Sequence, residues 1–400
     1  MSRVETTTNF RDSNGADLGK KLITKDYLIS VYPSIGQQIG IPPELWTWGQ
    51  GTSGQLGTND TTHKSTPVTT SAGGTNWKQV SAGKDHCAAI KTDGTLWTWG
   101  KGINAQLGDN TTTDKSTPVT TFAGGTNWKQ VSSNGYHTAA IKTDGTLWTW
   151  GGGNSGQLGN NDPTSKSIPV TTFAGGTNWK QVSAGRLHSA AIKTDGTLWT
   201  WGKGTYGRLG DYTVTDKSTP VTTFAGGTNW KQVSSGWYHT AAIKTDGTLW
   251  TWGRGDSGQL GDNTVAHKST PVTTFAGGTN WKQVSSGSNH CAAIKTDGTL
   301  WTWGIGTNGR LGDNTTTSKS TPVTTFAGGT NWKQVGGGGY HCAAIKTDGT
   351  LWTWGYGHQG RLGDNTATSR NTPVTTFAGG TNWKQVSAGT FTGAIKSVDF

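Results

Sequence analysis

Three cysteines and one methionine among 400 residues, with only 23 acidic side chains, define much of what this chain is not. Cys87, Cys291 and Cys342 lie far apart, so they form neither a CxxC metal spacing nor a compact disulfide framework. They share one repeat position, filled elsewhere by Thr138, Ser189 and Thr240, and read as small packing residues. The opening MSRVETTTNFRDSNG lacks the apolar centre of a signal peptide, and no stretch approaches the ~18 apolar residues of a membrane helix. The expectation is a protein made in the cytoplasm, without a membrane span. No segment sustains helical periodicity, and no cofactor is expected.

What is present is extreme: 63 glycines and 22 tryptophans, with hydrophobic residues at only 30%. Such bias calls first for a search for internal repeats. LWTWG begins at Leu45, Leu96, Leu147, Leu198, Leu249, Leu300 and Leu351, a constant spacing of 51 residues. TNWKQV also occurs seven times, and the two motifs hold every tryptophan but Trp237. The net charge of +11 comes mostly from lysines recurring in KQV, IKTDG and the loop before TPV. That spreads it around the molecule, unlike the concentrated stripe of a nucleic-acid reader.

Within a repeat, NWKQV, HCAAIK, TLWTWG and TPVTT read as four strands. Asp93-Gly94 is expected to form a two-residue type I′ hairpin loop, with Ile90 facing Trp97, Ala88 facing Trp99, and Leu96 and Thr98 pointing the other way. Both faces look buriable, which suits a sheet packed between two others. A four-stranded repeat of this length predicts an all-β, seven-bladed propeller of 51-residue blades. The first repeat begins in mid-blade at LWTWG and the last ends at GAIKSVDF. Each end supplies strands the other lacks, so one blade is expected to be stitched from both, with Phe400 just ahead of where an eighth LWTWG would stand. The division is residues 1–44 as an N-terminal anchoring arm and 45–400 as propeller.

The unit H(T/C)AAIKTDGTLWTWGxGxxG(Q/R)LGD resembles the repeat of the regulator of chromosome condensation family over residues 45–400, and the resemblance implies the same seven-bladed ring. The family's founder implies guanine-nucleotide exchange on a small GTPase together with chromatin docking. Exchange needs a wedge insertion, whereas these seven units share one length apart from a single-residue gap in the last. The opening FRDSNGADLGKKLITKDYLISVYP, followed by near-identical repeats, resembles virion-associated proteins of tailed phages.

Variation among the copies falls on one face. If the NWKQV strand runs upward, the TDG turn and FAGGTN link lie below and are nearly constant. Above lie the loop before each histidine and the loop after LWTWG, which vary and carry aromatic and cationic residues. The candidate ligand-binding set is Lys84, Lys101, Tyr136, Arg186, Lys203, Tyr206, Trp237, Tyr238, Arg254, Tyr340, Tyr356 and Phe391. Exposed aromatics beside cations suit sugar rings or a protein hot spot. Drift of unpacked loops is the competing explanation. The arm enters from the opposite face, with Leu22, Ile23, Tyr27, Leu28, Val31 and Tyr32 as its anchoring residues; packing beneath its own ring is the other reading.

Chemistry is thinly represented. His86, His137, His188, His239, His290 and His341 occupy one repeat position, with Thr392 in the seventh, each on its own blade without a clustered carboxylate. They are expected to pack and hydrogen-bond. Asp109 to Lys115 lacks the spaced acids of a calcium loop, so its polar side chains are expected to cap backbone groups, and no metal site is expected. The LWTWG tryptophans are expected to be inter-blade core. The reading is a non-enzymatic virion appendage or decoration protein located in the virion. Residues 1–44 would bind other virion proteins and the variable face a host-surface glycan or protein; homo-oligomers are compatible with this, and nucleic acid is disfavoured. The alternative is a cytoplasmic protein- or polyanion-binding scaffold of the chromosome-condensation type.

Overall fold

The computed structural model describes residues 43–397 and two short paired strands, Asn9–Arg11 and Asp17–Lys20. The arm positions Leu22, Ile23, Tyr27, Leu28, Val31 and Tyr32, and Phe400, lie outside the described residues. Each repeat forms an antiparallel sheet of four strands. In the first complete blade these are, from the inside outward, Trp77–Ala82, His86–Lys91, Leu96–Gly100 and Lys115–Thr120. Seven such sheets surround a channel lined by inner-strand residues including Gln79, Ser81, Gln130 and Gln232. The expected propeller is the observed fold. The seventh sheet is shared: Trp383–Ala388 and Phe391–Lys396 pair with Glu44–Gly49 and Lys64–Thr69, with Leu45 opposite Ile395.

The hairpin differs from its sequence reading by one residue. The Gly94 N–H donates to the Lys91 carbonyl at 3.0 Å and the Lys91 N–H to the Thr95 carbonyl at 3.0 Å, so the loop is Thr92–Gly94. Gly94 takes φ +82°, the left-handed residue that closes a three-residue loop, and its bare Cα lies against the Thr126 carbonyl of the link to the next blade. Register shifts accordingly: Ala89 faces Trp97, Cys87 faces Trp99 and Ile90 faces Leu96. The cysteine position is therefore the small residue opposite the deepest indole, which explains its exchange with threonine and serine.

Packing between blades follows from that register. Trp77, Val80, Cys87, Ala89 and Trp99 bury one face of the first blade against Leu45, Leu56, Phe391 and Ile395 of the closing blade. Its other face, Ala88, Ile90 and Leu96, receives Trp128, Val131, Ala140 and Trp150 of the next. Trp77 meets Trp97 and Trp99 edge-on at 6.4 and 6.3 Å, and the Lys91 ammonium sits 4.6 Å from the Trp97 ring. An indole burying 150–250 Å² contributes roughly 4–6 kcal/mol before entropy costs. The Trp99 N–H donates to the Gln55 carbonyl of the neighbouring blade at 2.9 Å, so the polar edge of the ring also links blades.

Two hydrogen-bond rings reinforce the stack. Gln79 Nε2 donates to the Val131 carbonyl at 3.0 Å while Gln79 Oε1 accepts the Val131 N–H at 2.9 Å. The pattern continues around the channel, with Gln334 accepting only the Val386 N–H, until Gln385 engages both backbone groups of Val80 and closes the circle. Further out, His86 Nε2 pairs with Thr138 Oγ1 at 2.8 Å, His239 with Cys291 Sγ at 3.0 Å and His341 with Thr392 Oγ1 at 2.6 Å. In the closing blade the histidine site belongs to Phe391, not Thr392, because Phe391 pairs with Gly49 as His86 does with Gly100. Phe391 is wholly buried among core residues that include Cys87, and so cannot belong to a ligand-binding face.

Two predictions follow from this packing. A Cβ on Gly108, at φ +67°, would stand 2.6 Å from Trp150 Nε1, whereas Gly124, at φ +53°, has open space. Gly108→Ala should lose about 2–4 kcal/mol in urea unfolding and Gly124→Ala only about 1–2; equal losses would contradict the indole contact. Burial holds His86, His137, His239 and His290 down to about 3, and likewise lowers His188 and His341. The unfolded chain takes up these protons near pH 6.5 and the folded ring does not. Stability should therefore be full above that pH and fall below it, by up to about 1.4 kcal/mol per histidine per pH unit. A melting temperature that stays flat down to pH 5 would contradict this.

Candidate functional site

The loops between the two inner strands rim one mouth of the channel and are tied blade to blade by the backbone. Arg186 N–H donates to the Gly236 carbonyl at 3.3 Å, Trp237 to Gly287 at 3.2 Å, Gly339 to Gly389 at 2.7 Å and Thr390 to Gly83 at 3.3 Å. With Ser288 to Gly338 at 3.2 Å these bonds tie five of the seven loops to the next and fix the bases of the side chains they carry, whereas the Gly135 N–H turns to the Asn134 side chain. The loops that follow LWTWG lie beside this rim.

Most of the predicted face comes together as one aromatic and cationic network. Lys84 lies 5.4 Å from the Tyr136 ring. Arg186 donates to the Tyr238 hydroxyl and, at 3.4 Å, to the Tyr136 hydroxyl, and its guanidinium stands 5.2 Å from the Trp237 ring. Trp237 reaches past the short Ser288 to meet Tyr340 edge-on at 5.7 Å, over Gly339, where a Cβ would be 3.1 Å from the indole. Tyr340 meets Tyr356 at 6.1 Å, and Tyr356 stacks on His358 at 5.6 Å. A branch runs from Tyr238 to Tyr206 at 6.3 Å and on to His267 at 4.8 Å, with Arg254 5.2 Å from Tyr238.

Two lysines play smaller parts. Lys101 is 3.9 Å from Asp85, which also pairs with Lys84, whereas Lys203 pairs with Asp216 at 3.3 Å. Asp109, considered as a calcium ligand, instead accepts the backbone N–H and hydroxyl of Thr111 and pairs with Lys115 at 3.7 Å. On the link between blades, Phe122, Phe173, Phe224, Phe275, Phe326 and Phe377 are all more than 60% exposed, an apolar row broken only by Ser71 that the sequence reading passed over.

Sequence reasoning also missed three buried arginines. The position before LG is Gln55, Gln106, Gln157 and Gln259 in four repeats but Arg208, Arg310 and Arg361 in three. The glutamine amide oxygen accepts a loop N–H, as from Ser53 at 2.7 Å or Asn104 at 2.8 Å. Arginine has no acceptor to offer. In these three repeats a short 3-10 turn forms, and Tyr206, Asn308 and Gln359 adopt φ of 68°, 61° and 63°, which is strained for a tyrosine. Arg208 stands 5.3 Å from Tyr238, and Arg310 and Arg361 stand 5.2 and 5.3 Å from Tyr340. Burial lowers Arg208 and Arg361 to about 10, leaving both charged at neutral pH. The signal was the Gln-to-Arg exchange itself, hidden inside a motif that otherwise looks like core.

Comparison with known proteins agrees with the ring. The RCC1-like domain pattern matches residues 182–397, and the regulator of chromosome condensation (RCC1) repeat matches 44–90, 93–141 and 144–192. The ultraviolet-B receptor UVR8 of Arabidopsis thaliana is 33% identical over 340 residues, covering 82% of this chain and 76% of the receptor. The E3 ubiquitin-protein ligase HERC2 of Homo sapiens is 30% identical over 290 residues, covering 70% of this chain but only 6% of the ligase. Human WBSCR16 superposes with a TM-score of 0.79 at 20% identity, over 90% of this chain and 100% of that one. Prp20p of Saccharomyces cerevisiae superposes with a TM-score of 0.78 at 19% identity, over 90% and 92%. These two structures share the fold.

The network makes a spectroscopic prediction. The hydrogen bond from Arg186 holds the Tyr136 phenol below the ordinary tyrosine value. In an NMR titration of the tyrosine rings, Arg186→Ala should raise the Tyr136 pKa; no change would break the link between Tyr136 and Arg186.

Proposed function

The chain belongs to the regulator of chromosome condensation (RCC1) repeat family, and on that premise we propose that it is a non-enzymatic scaffold that binds a protein partner through the aromatic and arginine-rich mouth of its propeller. One observation carries the reading: aromatic and arginine side chains that differ between repeats form a connected surface from Tyr136 to His358, whereas the repeated tryptophans, glutamines and histidines are engaged between blades. Tyrosine, tryptophan and arginine are the residue types enriched at interface hot spots.

A non-enzymatic role is supported by what the constant polar groups do. The six histidines are buried, neutral and paired with the next blade. The cysteine thiols are buried and pushed upward, as at Cys291, raised to about 12 by burial. Neither group is open to solvent. Among the structural neighbours, Prp20p is described by its binding to Gsp1p and histones.

The relatives favour this scaffold reading over the virion appendage. The narrower reading rests on residues 1–44, almost all outside the described residues, and on a host-surface glycan or protein at the same mouth. Attachment through residues 1–44 stays within the proposal. They join the ring at Pro43, whose carbonyl accepts the Trp77 N–H at 3.1 Å where the other blades use the glycine of the TDG turn, on the side away from the mouth.

The test is comparative capture from an extract of the source cells. A variant with Tyr136, Trp237, Tyr238 and Tyr340 all replaced by alanine should recover at least about tenfold less of the partner than wild type, the loss expected when hot-spot aromatics are truncated. A control with Phe173, Phe275 and Phe326 replaced by alanine should recover it normally. Loss confined to the control would move the interface to the link side and overturn the assignment.

A further inference from the structure

Arg310 and Arg361 stand out among the cations of the mouth. They come from the loops of successive blades and flank one ring, with guanidinium carbons 5.2 and 5.3 Å from the Tyr340 centroid. They are 7% and 3% exposed, yet among the described residues neither has a carboxylate within ion-pair distance. Arg254, by contrast, is paired with Asp256 at 2.7 Å. Arg310 Nε and Arg361 Nη1 are buried N–H donors without an acceptor. A buried, charged donor left unpaired is destabilising.

The local backbone is also worse off for holding them. Glutamine at this position would accept a loop N–H, as it does in four other repeats. With arginine that bond is gone, and Asn308 and Gln359 turn left-handed. Arg361 recovers two bonds within the ring, from Nε to the Thr390 carbonyl at 3.1 Å and from Nη2 to Gln359 Oε1 at 2.6 Å, which leaves Nη1 unpaired. Arg310 makes no side-chain hydrogen bond among the described residues, and the two unpaired guanidinium edges point to a ligand that would pair them.

We propose that Arg310 and Arg361 form an oxyanion site that takes the carboxylate of an aspartate or glutamate on a protein partner, the Tyr340, Tyr356 and Trp237 rings forming its apolar walls. This rests on the scaffold reading and names the chemistry that the partner must bring. A guanidinium fork matches a carboxylate in two parallel hydrogen bonds, and low exposure strengthens them. The walls favour a single planar anion carried on a polypeptide. A nucleic acid tracking across the mouth would meet Asp85 beside Lys84 and Lys101, and Asp256 beside Arg254.

The experiment is calorimetric titration of the full chain with a short oligoglutamate peptide, inorganic phosphate and a short DNA duplex. Wild type should bind oligoglutamate, and R310Q/R361Q should bind it at least about tenfold more weakly, the loss expected for charge-assisted hydrogen bonds. R310K/R361K, which keeps the charge without the fork, should be weakened as well. Because glutamine is native to this position in other repeats, R310Q/R361Q should fold, with a melting temperature at or above wild type. A lower one would make the arginines structural and overturn the proposal. So would equal binding of oligoglutamate by wild type and variant, or none by either. Phosphate or duplex binding stronger than that of oligoglutamate, and lost in the same variant, would replace the carboxylate with a phosphate ligand. In the capture assay, a partner kept by R310Q/R361Q but lost by the four-alanine variant would remove the anion site and leave the scaffold. A partner kept by both would remove the scaffold face itself.

Discussion

A four-stranded blade in this chain has an indole face and a leucine–isoleucine face, and neither can be buried without another blade. Trp128 and Trp150 are covered by Ile90 and Leu96 of the blade before, and that dependence repeats until Trp77 and Trp99 meet Leu45 and Ile395. Closure is then a requirement of burial. The glutamine ring around the channel and the histidines outside it add direction to a contact that is otherwise nondirectional, because each amide engages the backbone of the same valine of its neighbour and each imidazole the same hydroxyl or thiol position. Near-identity of the repeats is the sequence expression of one interface used seven times.

The same constraint separates the two ends of the channel. Turns such as Thr92–Gly94 are bound by geometry, since Gly94 is left-handed and presses on the next link. At the mouth the loops are held largely by backbone contacts such as Trp237 to Gly287, which do not depend on side-chain identity, so side chains there can differ. They have diverged toward rings and guanidinium groups that contact one another across blades, from Arg186 to Trp237 and from Trp237 to Tyr340. Preordering by mutual contact lowers the entropy cost of presenting such a surface to a partner. The exposed phenylalanines of the links, being nearly constant, lack that individuality.

The sequence disclosed the period, the strand content, the stitched blade and most of the variable face, because each is written in periodicity and in comparison between copies. It misplaced what depends on a single residue of loop. Asp93-Gly94 looks like a two-residue turn, and only the left-handed Gly94 with Thr92 in the loop shows the true register. The gap in the last repeat hid Phe391 in the same way: strand pairing places it opposite Gly49, in the core. Arg208, Arg310 and Arg361 escaped because a residue inside a constant motif reads as packing, and the contacts of Arg208 to Tyr238 and of Arg310 to Tyr340 cross from one blade to the next. The glutamine ring was equally invisible, since KQV is polar and constant and nothing in its spacing shows that it faces a channel.

The central claim is that the ring is held by what repeats and recognises through what does not. Hydrogen–deuterium exchange of the chain alone and with its captured partner tests it most directly. Partner binding should slow exchange in the mouth loops around Tyr136, Trp237 and Tyr340 and in the loops carrying Arg310 and Arg361, leaving the TDG turns and the phenylalanine links unchanged. Protection centred on those turns and links, with the mouth unaffected, would contradict the account.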